Sequence, residues 1–174
     1  MFEIKNVKIS LKLEELSLNT VLVNLKTSRI DFNEKSNYIV IRLKYIYIIF
    51  KPRNQQINHI NVTKIPQIQK INHAITFFKK TIFPNLNINI KNIIVDNITS
   101  IYKVHHFLNL SEIIEKYRNI YNIKYNNEKF PGMFIKFDSG TLIIFYTGTV
   151  IAIGCKSEND LTFLFNKFNK IILE

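Results

Sequence analysis

Four histidines and one cysteine are the side chains of this sequence best suited to catalysis or metal binding. His59 and His73 have no cysteine or acidic partner at metal-ligand spacing. His105 and His106 are adjacent, so they point to different sides of a strand or helix and are poorly placed to chelate one ion. Cys155 has no evident base and, just before the last helical pattern, reads as a packing residue. Gly132, Gly140, Gly148 and Gly154 form no phosphate-cradling motif. Enzyme chemistry, metals and cofactors therefore have no constellation to rest on. What the chain does have is charge: Lys+Arg 24 against Asp+Glu 13, net +11. Such a surplus favours an anionic partner, nucleic acid or membrane surface. Heavy use of Ile, Asn and Lys suggests an AT-rich coding genome, which discounts part of the lysine excess and makes the sequons at Asn61, Asn97 and Asn109 expected by chance.

The stretch Phe130–Lys156 organises the chain. It reads as three strands, Met133–Phe137, Thr141–Tyr146 and Thr149–Ile153, with Asp138-Ser139-Gly140 and Thr147-Gly148 as turns. Both faces are apolar. Leu142, Ile144, Val150 and Ala152 point one way, and Ile143, Phe145, Ile151 and Ile153 the other. An antiparallel sheet in a small protein usually has one wet face, so the second face calls for a partner.

The remaining elements are those that must position this surface. Phe2–Leu13 reads as a strand, Leu16–Leu25 as a helix, polar Thr27–Asn37 as a loop, and Tyr38–Leu43, Tyr45–Phe50 and Ile57–Thr63 as strands. Pro66 opens a helix with a stripe of Ile68, Ile71, Ile75, Phe78 and Ile82, and Pro84 ends it. Ile88–Val95 reads as a strand, Ser111–Tyr121 as a helix with Ile113, Ile114 and Tyr117 inward, and Tyr125–Lys129 as a polar connection. Ser157-Glu158-Asn159-Asp160 starts the last helix, with Leu161, Leu164, Phe165, Phe168 and Ile172 inward. The 174 residues suit one domain or two small fused halves. No leader-like run opens the chain, and its most apolar run, Thr141–Gly154, is shorter than the about 20 residues a membrane helix needs. One cysteine fits a reducing compartment.

The order strand, helix, strands, helix occurs twice. Ile4-Lys5-Asn6-Val7 recurs as Ile90-Lys91-Asn92-Ile93, and Tyr47-Ile48-Ile49-Phe50 as Leu142-Ile143-Ile144-Phe145. This predicts a duplication with repeats over 1–87 and 88–174. The expected class is α+β: one continuous antiparallel sheet with helices on one face, the other left open for binding. Burial of that open face in a homodimer is the alternative.

Phe130-Pro131-Gly132 followed by GTLIIFYTGTVIAIGCKSENDLTFLFNKF resembles the second repeat of the TATA-box-binding protein family, and IKNV and IKNI resemble its paired first strands. The resemblance implies a saddle-shaped sheet lying on a widened minor groove, a mechanism already described for that family, with phenylalanine wedges at each end. Phe130 and Phe145 match one wedge pair. Phe50 matches one member of the other pair, whose second member falls at Ser36 or Asn37 and is lost. Asn6 and Asn92 match the central pair that donates to groove acceptors. Ile94, Ile143 and Ile151 match apolar contacts that select A·T, and Ile48, Phe134 and Ile153 match further groove-facing positions. Ile153 stands for a family threonine and Lys8 for a valine, so base readout is expected to be relaxed. Arg42, Lys136 and Lys156 match phosphate contacts. Glu128 matches an acidic residue that holds transcription factor IIB.

The implied function is a transcription initiation factor without catalytic activity or cofactor. Its expected partners are double-stranded AT-rich promoter DNA, a IIB-like factor and RNA polymerase, in a nucleus, a cytoplasmic viral factory or a virion. Two other readings stay open: an interaction module whose concave face takes a protein, and an accessory domain of a nucleic-acid enzyme.

Overall fold

The structure, a computed structural model, describes residues 2–35 and 37–173; the side chain of Glu15 is also outside the description. Two compact units are present: Asn6–Val95, here the N-terminal unit, and Asp96–Glu174 together with Met1–Lys5, the C-terminal unit. The division falls inside strands β1 (Glu3–Ser17) and β6 (Ile90–Lys103) rather than at 87/88.

Each unit is an antiparallel sheet with two helices, so the α+β class expected from the sequence stands. In the N-terminal unit β2 (Phe32–Lys35), β3 (Tyr38–Arg42), β4 (Tyr47–Phe50) and β5 (Gln56–Ile65) pair in succession, and β5 then pairs with β1. The helices are α1 (Leu18–Thr27) and α2 (Ile71–Ile82). The C-terminal unit repeats the pattern with β7 (Asn122–Asn126), β8 (Phe130–Phe137), β9 (Gly140–Phe145) and β10 (Thr149–Cys155), and β10 then pairs with β6. Its helices are α3 (Leu110–Tyr117) and α4 (Glu158–Leu173).

Alternation along the strands builds both cores. Ile39, Ile41, Ile48, Phe50, Ile60 and Val62 are buried in the N-terminal unit, as are Leu142, Ile144, Val150 and Ala152 in the other. Burying each large side chain contributes roughly 1.5–3 kcal/mol. Helix α2 seals its sheet with Ala74, Ile75, Phe78 and Ile82, and α4 uses Leu161, Leu164, Phe168 and Ile171. Phe50, Phe78 and Phe83 form one aromatic cluster, with centroids 5.9–6.5 Å apart. Helix starts are fixed by caps. Ser17 Oγ accepts from Thr20 N (3.0 Å), and Asn109 Oδ1 from Glu112 N (3.3 Å). At α4 the exchange is reciprocal: Asp160 N donates to Ser157 Oγ (3.2 Å) and Ser157 N to Asp160 Oδ2 (3.1 Å).

Several elements differ from expectation for identifiable reasons. Strand β2 lies within the stretch that reads as a polar loop, and β7 fills the unassigned Asn122–Lys124 and runs into the polar connection, because an edge strand is held by backbone bonds to one neighbour and leaves its side chains exposed. Helix α1 begins at Leu18, since Ser17 caps it. Pro66 does not open α2, which begins at Ile71 after a single tight turn, Ile68–Lys70. Strand β6 runs on to Lys103, and α3 ends at Tyr117 rather than Tyr121. On α4 the inward residue of the last turn is Ile171, not Ile172.

Candidate nucleic-acid interface

The two faces of the organising stretch separate cleanly in the structure. Leu142, Ile144, Val150 and Ala152 are fully buried on the helix side, while Phe145, Ile151 and Ile153 are half-exposed on the other. Register sets this second face into rows. Ile151 lies opposite Ile143, which lies opposite Phe134; Ile153 lies opposite Thr141, which lies opposite Lys136. Gly132 lies opposite Phe145 and is there for space: a Cβ at this position would come 2.5 Å from Phe130 Cε1, 2.7 Å from Ile143 Cγ2 and 3.1 Å from Phe145 Cε1. The missing side chain lets Phe130 fold over the sheet, 5.3 Å from the Phe134 ring and 5.7 Å from that of Phe145. Phe130 remains 40% exposed, and Ile143 lies beneath these rings at 9%. The result is an apolar, aromatic surface with the cations Lys124 and Lys136 exposed on its outer strands.

Lys156 is exposed just after β10, its amide donating to Asp160 Oδ2 at 2.8 Å. Glu128 is exposed on the turn between β7 and β8, its amide held by Asn126 Oδ1 at 3.1 Å.

In the N-terminal unit the structure corrects two expected interface residues. Ile48 and Phe50 are fully buried on the helix side, with Phe50 packed on Phe78 and Phe83. The cause is register. Ile49 pairs with Asn61, three residues before Lys64 (φ 64°), as Ile143 pairs with Ile151, three residues before Gly154 (φ 82°). Tyr47-Ile48-Ile49-Phe50 therefore corresponds to Thr141-Leu142-Ile143-Ile144, and the place of Phe145 falls to Lys51. A slip of one residue reverses every face of a strand. Ile49, not Ile48, shares a face with the half-exposed Val40 and with Asn61. The place of Phe130 falls to Ser36, outside the described residues.

The asparagine pair is reassigned in the same way. Asn6 Oδ1 accepts from Lys64 N (2.7 Å) and Thr63 Oγ1 (3.2 Å). Asn97 Oδ1 accepts from Gly154 N (2.6 Å), the corresponding amide. Asn92 Oδ1 instead accepts from its own neighbour Ile93 N, in the first half of β6, where Ile94 is 49% exposed. The counterpart of Asn6 is thus Asn97. The signal was the short match Asn6-Val7 with Asn97-Ile98, overshadowed by the longer likeness of IKNV to IKNI.

Arg42 is exposed in a row with Tyr47 and Thr63, its guanidinium 5.6 Å from the Tyr47 ring centre. Lys64 Nζ donates to Tyr47 Oη at 2.9 Å and holds that phenol below its ordinary pKa, mainly through this bond and then through its charge. Cys155 is buried, and burial, with a lesser push from Asp160, raises its thiol to about 11. Among the described residues, no group of three His, Cys, Asp or Glu could hold a metal, and no helix is long and apolar enough to cross a membrane.

A family model for transcription factor TFIID, or TATA-binding protein (TBP), matches residues 92–174. The TATA-box-binding protein of Picrophilus torridus is 28% identical over 168 residues, covering 91% of this chain and 86% of that protein. The second half of the chain thus matches the TBP family model, and nearly the whole chain is similar to a TATA-box-binding protein. The chain's fold is that of the Methanococcus jannaschii TBP, with a TM-score of 0.78 at 21% identity, covering 98% of this chain and 97% of the other. The TBP model matches the part of the chain that carries the phenylalanine cluster, whereas the N-terminal unit carries Lys51 at the corresponding strand position.

Proposed function

We propose that this TBP-like transcription factor binds AT-rich duplex DNA through the minor groove and bends it chiefly from one end. The observation that carries the reading is the cluster of Phe130, Phe134 and Phe145 over Gly132. A ring exposed at the rim of an apolar sheet can enter a base step and replace lost stacking with apolar contact. Ile143 and Ile151 beside it suit A·T pairs, which present no guanine amino group. Asn6 and Asn97 have their oxygens engaged by backbone amides, and Asn97 Nδ2 also donates to Thr99 Oγ1 at 3.0 Å; the N–H groups that remain are the donors that the groove acceptors of A and T require. Arg42, Lys136 and Lys156 supply sequence-independent phosphate contacts. Lys51 in the place of a phenylalanine favours a kink at the C-terminal unit's end alone. Glu128, on its exposed turn, is offered to a IIB-like factor, which in turn engages RNA polymerase.

Gel shifts on AT-rich and GC-rich duplexes across a salt series test this. Preferential AT binding with a bend in circularly permuted fragments is expected, and Phe130→Ala with Phe145→Ala should abolish the bend. Absence of binding even at low salt would overturn the reading. It would favour the second one, a module that takes a protein on this face, for which the polar substitutions in the N-terminal unit speak.

A further inference from the structure

Where the C-terminal unit has the cross-strand pair Ile101–Ile151, the N-terminal unit has Ser10–Asn61. The correspondence is fixed by register: Asn61 pairs with Ile49 on its other side, as Ile151 pairs with Ile143. An apolar pair has become a hydrogen-bonded one, with Asn61 Nδ2 donating to Ser10 Oγ at 2.6 Å. Asn61 is 8% exposed, so its amide is locked against the sheet rather than free in solvent. With its nitrogen turned to Ser10, Oδ1 is the atom of the amide left to accept. Asn61 and Ser10 line a depression whose other walls include Lys51, Arg53 and His59. A fixed acceptor in a basic depression suits a donor carried on an anionic polymer.

In the minor groove only one base edge is a donor, the exocyclic N2 amino group of guanine. We propose that Ser10 and Asn61 form a guanine-reading site, Asn61 Oδ1 accepting from guanine N2 and Ser10 holding the amide in that orientation. This rests on the minor-groove reading above. It makes the target composite: A·T pairs under Ile143 and Ile151, and a tolerated or preferred G·C pair under Asn61. An isoleucine at the same place would exclude that amino group by bulk and leave it unbonded.

The test uses the full chain and a set of duplexes in which each pair of an A·T run is replaced singly by G·C or by inosine·C, which lacks the amino group. At one position G·C should bind about three- to tenfold more tightly than inosine·C, the value of one added hydrogen bond. Asn61→Ile, which installs the residue found in the C-terminal unit, should reverse that order there and leave the other positions unchanged. Asn61→Asp retains an acceptor and should keep the preference at lower overall affinity. Ser10→Ala should narrow the preference without reversing it, and melting curves check that each variant is folded. Duplex binding with G·C no better than inosine·C anywhere would overturn the site alone. So would a preference that survives Asn61→Ile or disappears in Asn61→Asp. Failure to bind any duplex would overturn the minor-groove reading with it.

Discussion

Gly132 and Lys64 stand where the chain calls for the two different freedoms of glycine, space at one and backbone conformation at the other. At Gly132 the chain needs the space above the sheet, not an unusual backbone. Gly132→Ala would drive a methyl against Phe130, Ile143 and Phe145, and Phe130, the most exposed of the three, must swing away. The expected outcome is a loss of about 1–3 kcal/mol in stability, the usual cost of overpacking. DNA bending should fall further than affinity at low salt, as comparison of a permutation assay with a gel shift would show. At Lys64 the requirement is the backbone itself: its φ is 64°, and the corresponding residue in the other unit is Gly154. Lys64→Gly should relieve strain worth about 1 kcal/mol, and thermal melts should show a net gain. The same change removes the ammonium group from Tyr47, so spectrophotometric titration should find that phenol higher than in the parent. Cys155 gives a pH prediction whose sign follows from its raised thiol. Between its ordinary 9.0 and about 11 the unfolded chain binds fewer protons than the folded one. Stability associated with this group is therefore complete below about 9 and lost as pH rises through about 11, and alkylation at neutral pH should require unfolding.

At the scale of elements, the sequence was legible wherever one face is buried and the other is not. The strands around Ile39–Arg42, Thr141–Phe145 and Thr149–Ile153 follow their alternation, and the inward residues Leu161, Leu164 and Phe168 follow helical spacing. Strands β2 and β7 were not legible because edge pairing leaves no hydrophobic trace. Strand β4 was legible as a strand but not in phase: Ile48, Ile49 and Phe50 are all apolar, so composition does not say which face is which, and a likeness of four residues set the phase one position off. Only the pairing of Ile49 with Asn61 settles it. Phase has consequences that denaturation can measure. Phe50→Ala should cost about 3–5 kcal/mol, as for a core phenylalanine. Phe130→Ala, whose ring is partly in solvent, should cost about 0.5–1.5 kcal/mol, the scale of an aromatic pair. On α4, Ile171→Ala should cost about 2–5 kcal/mol and Ile172→Ala distinctly less, because the helix turns Ile171 inward.

At the scale of the whole molecule, both units have the same order of elements, and their exposed faces differ. One carries phenylalanines and isoleucines; the other carries Lys51, Asn61 and Ser10 at the corresponding positions, while Arg42 corresponds to Lys136. Net charge of +11 serves both without distinguishing them, since phosphate attraction is blind to sequence. Salt and bending therefore separate the contributions. Arg42→Ala and Lys136→Ala should each lower the slope of log affinity against log salt by about 1, with the bend angle unchanged. Phe130→Ala with Phe145→Ala should leave that slope intact and remove the bend, because unstacking a base step releases no counterion. The centre of the bend in the parent, mapped by permutation, should lie toward one end of the footprint rather than at its middle. Lys51→Phe would restore an aromatic at the vacant position and, if register alone decides who can enter the groove, should move that centre inward while lowering the salt slope by about 1. A bend already centred in the parent would mean that the N-terminal unit deforms DNA without a phenylalanine at this position, through polar and charged contacts alone.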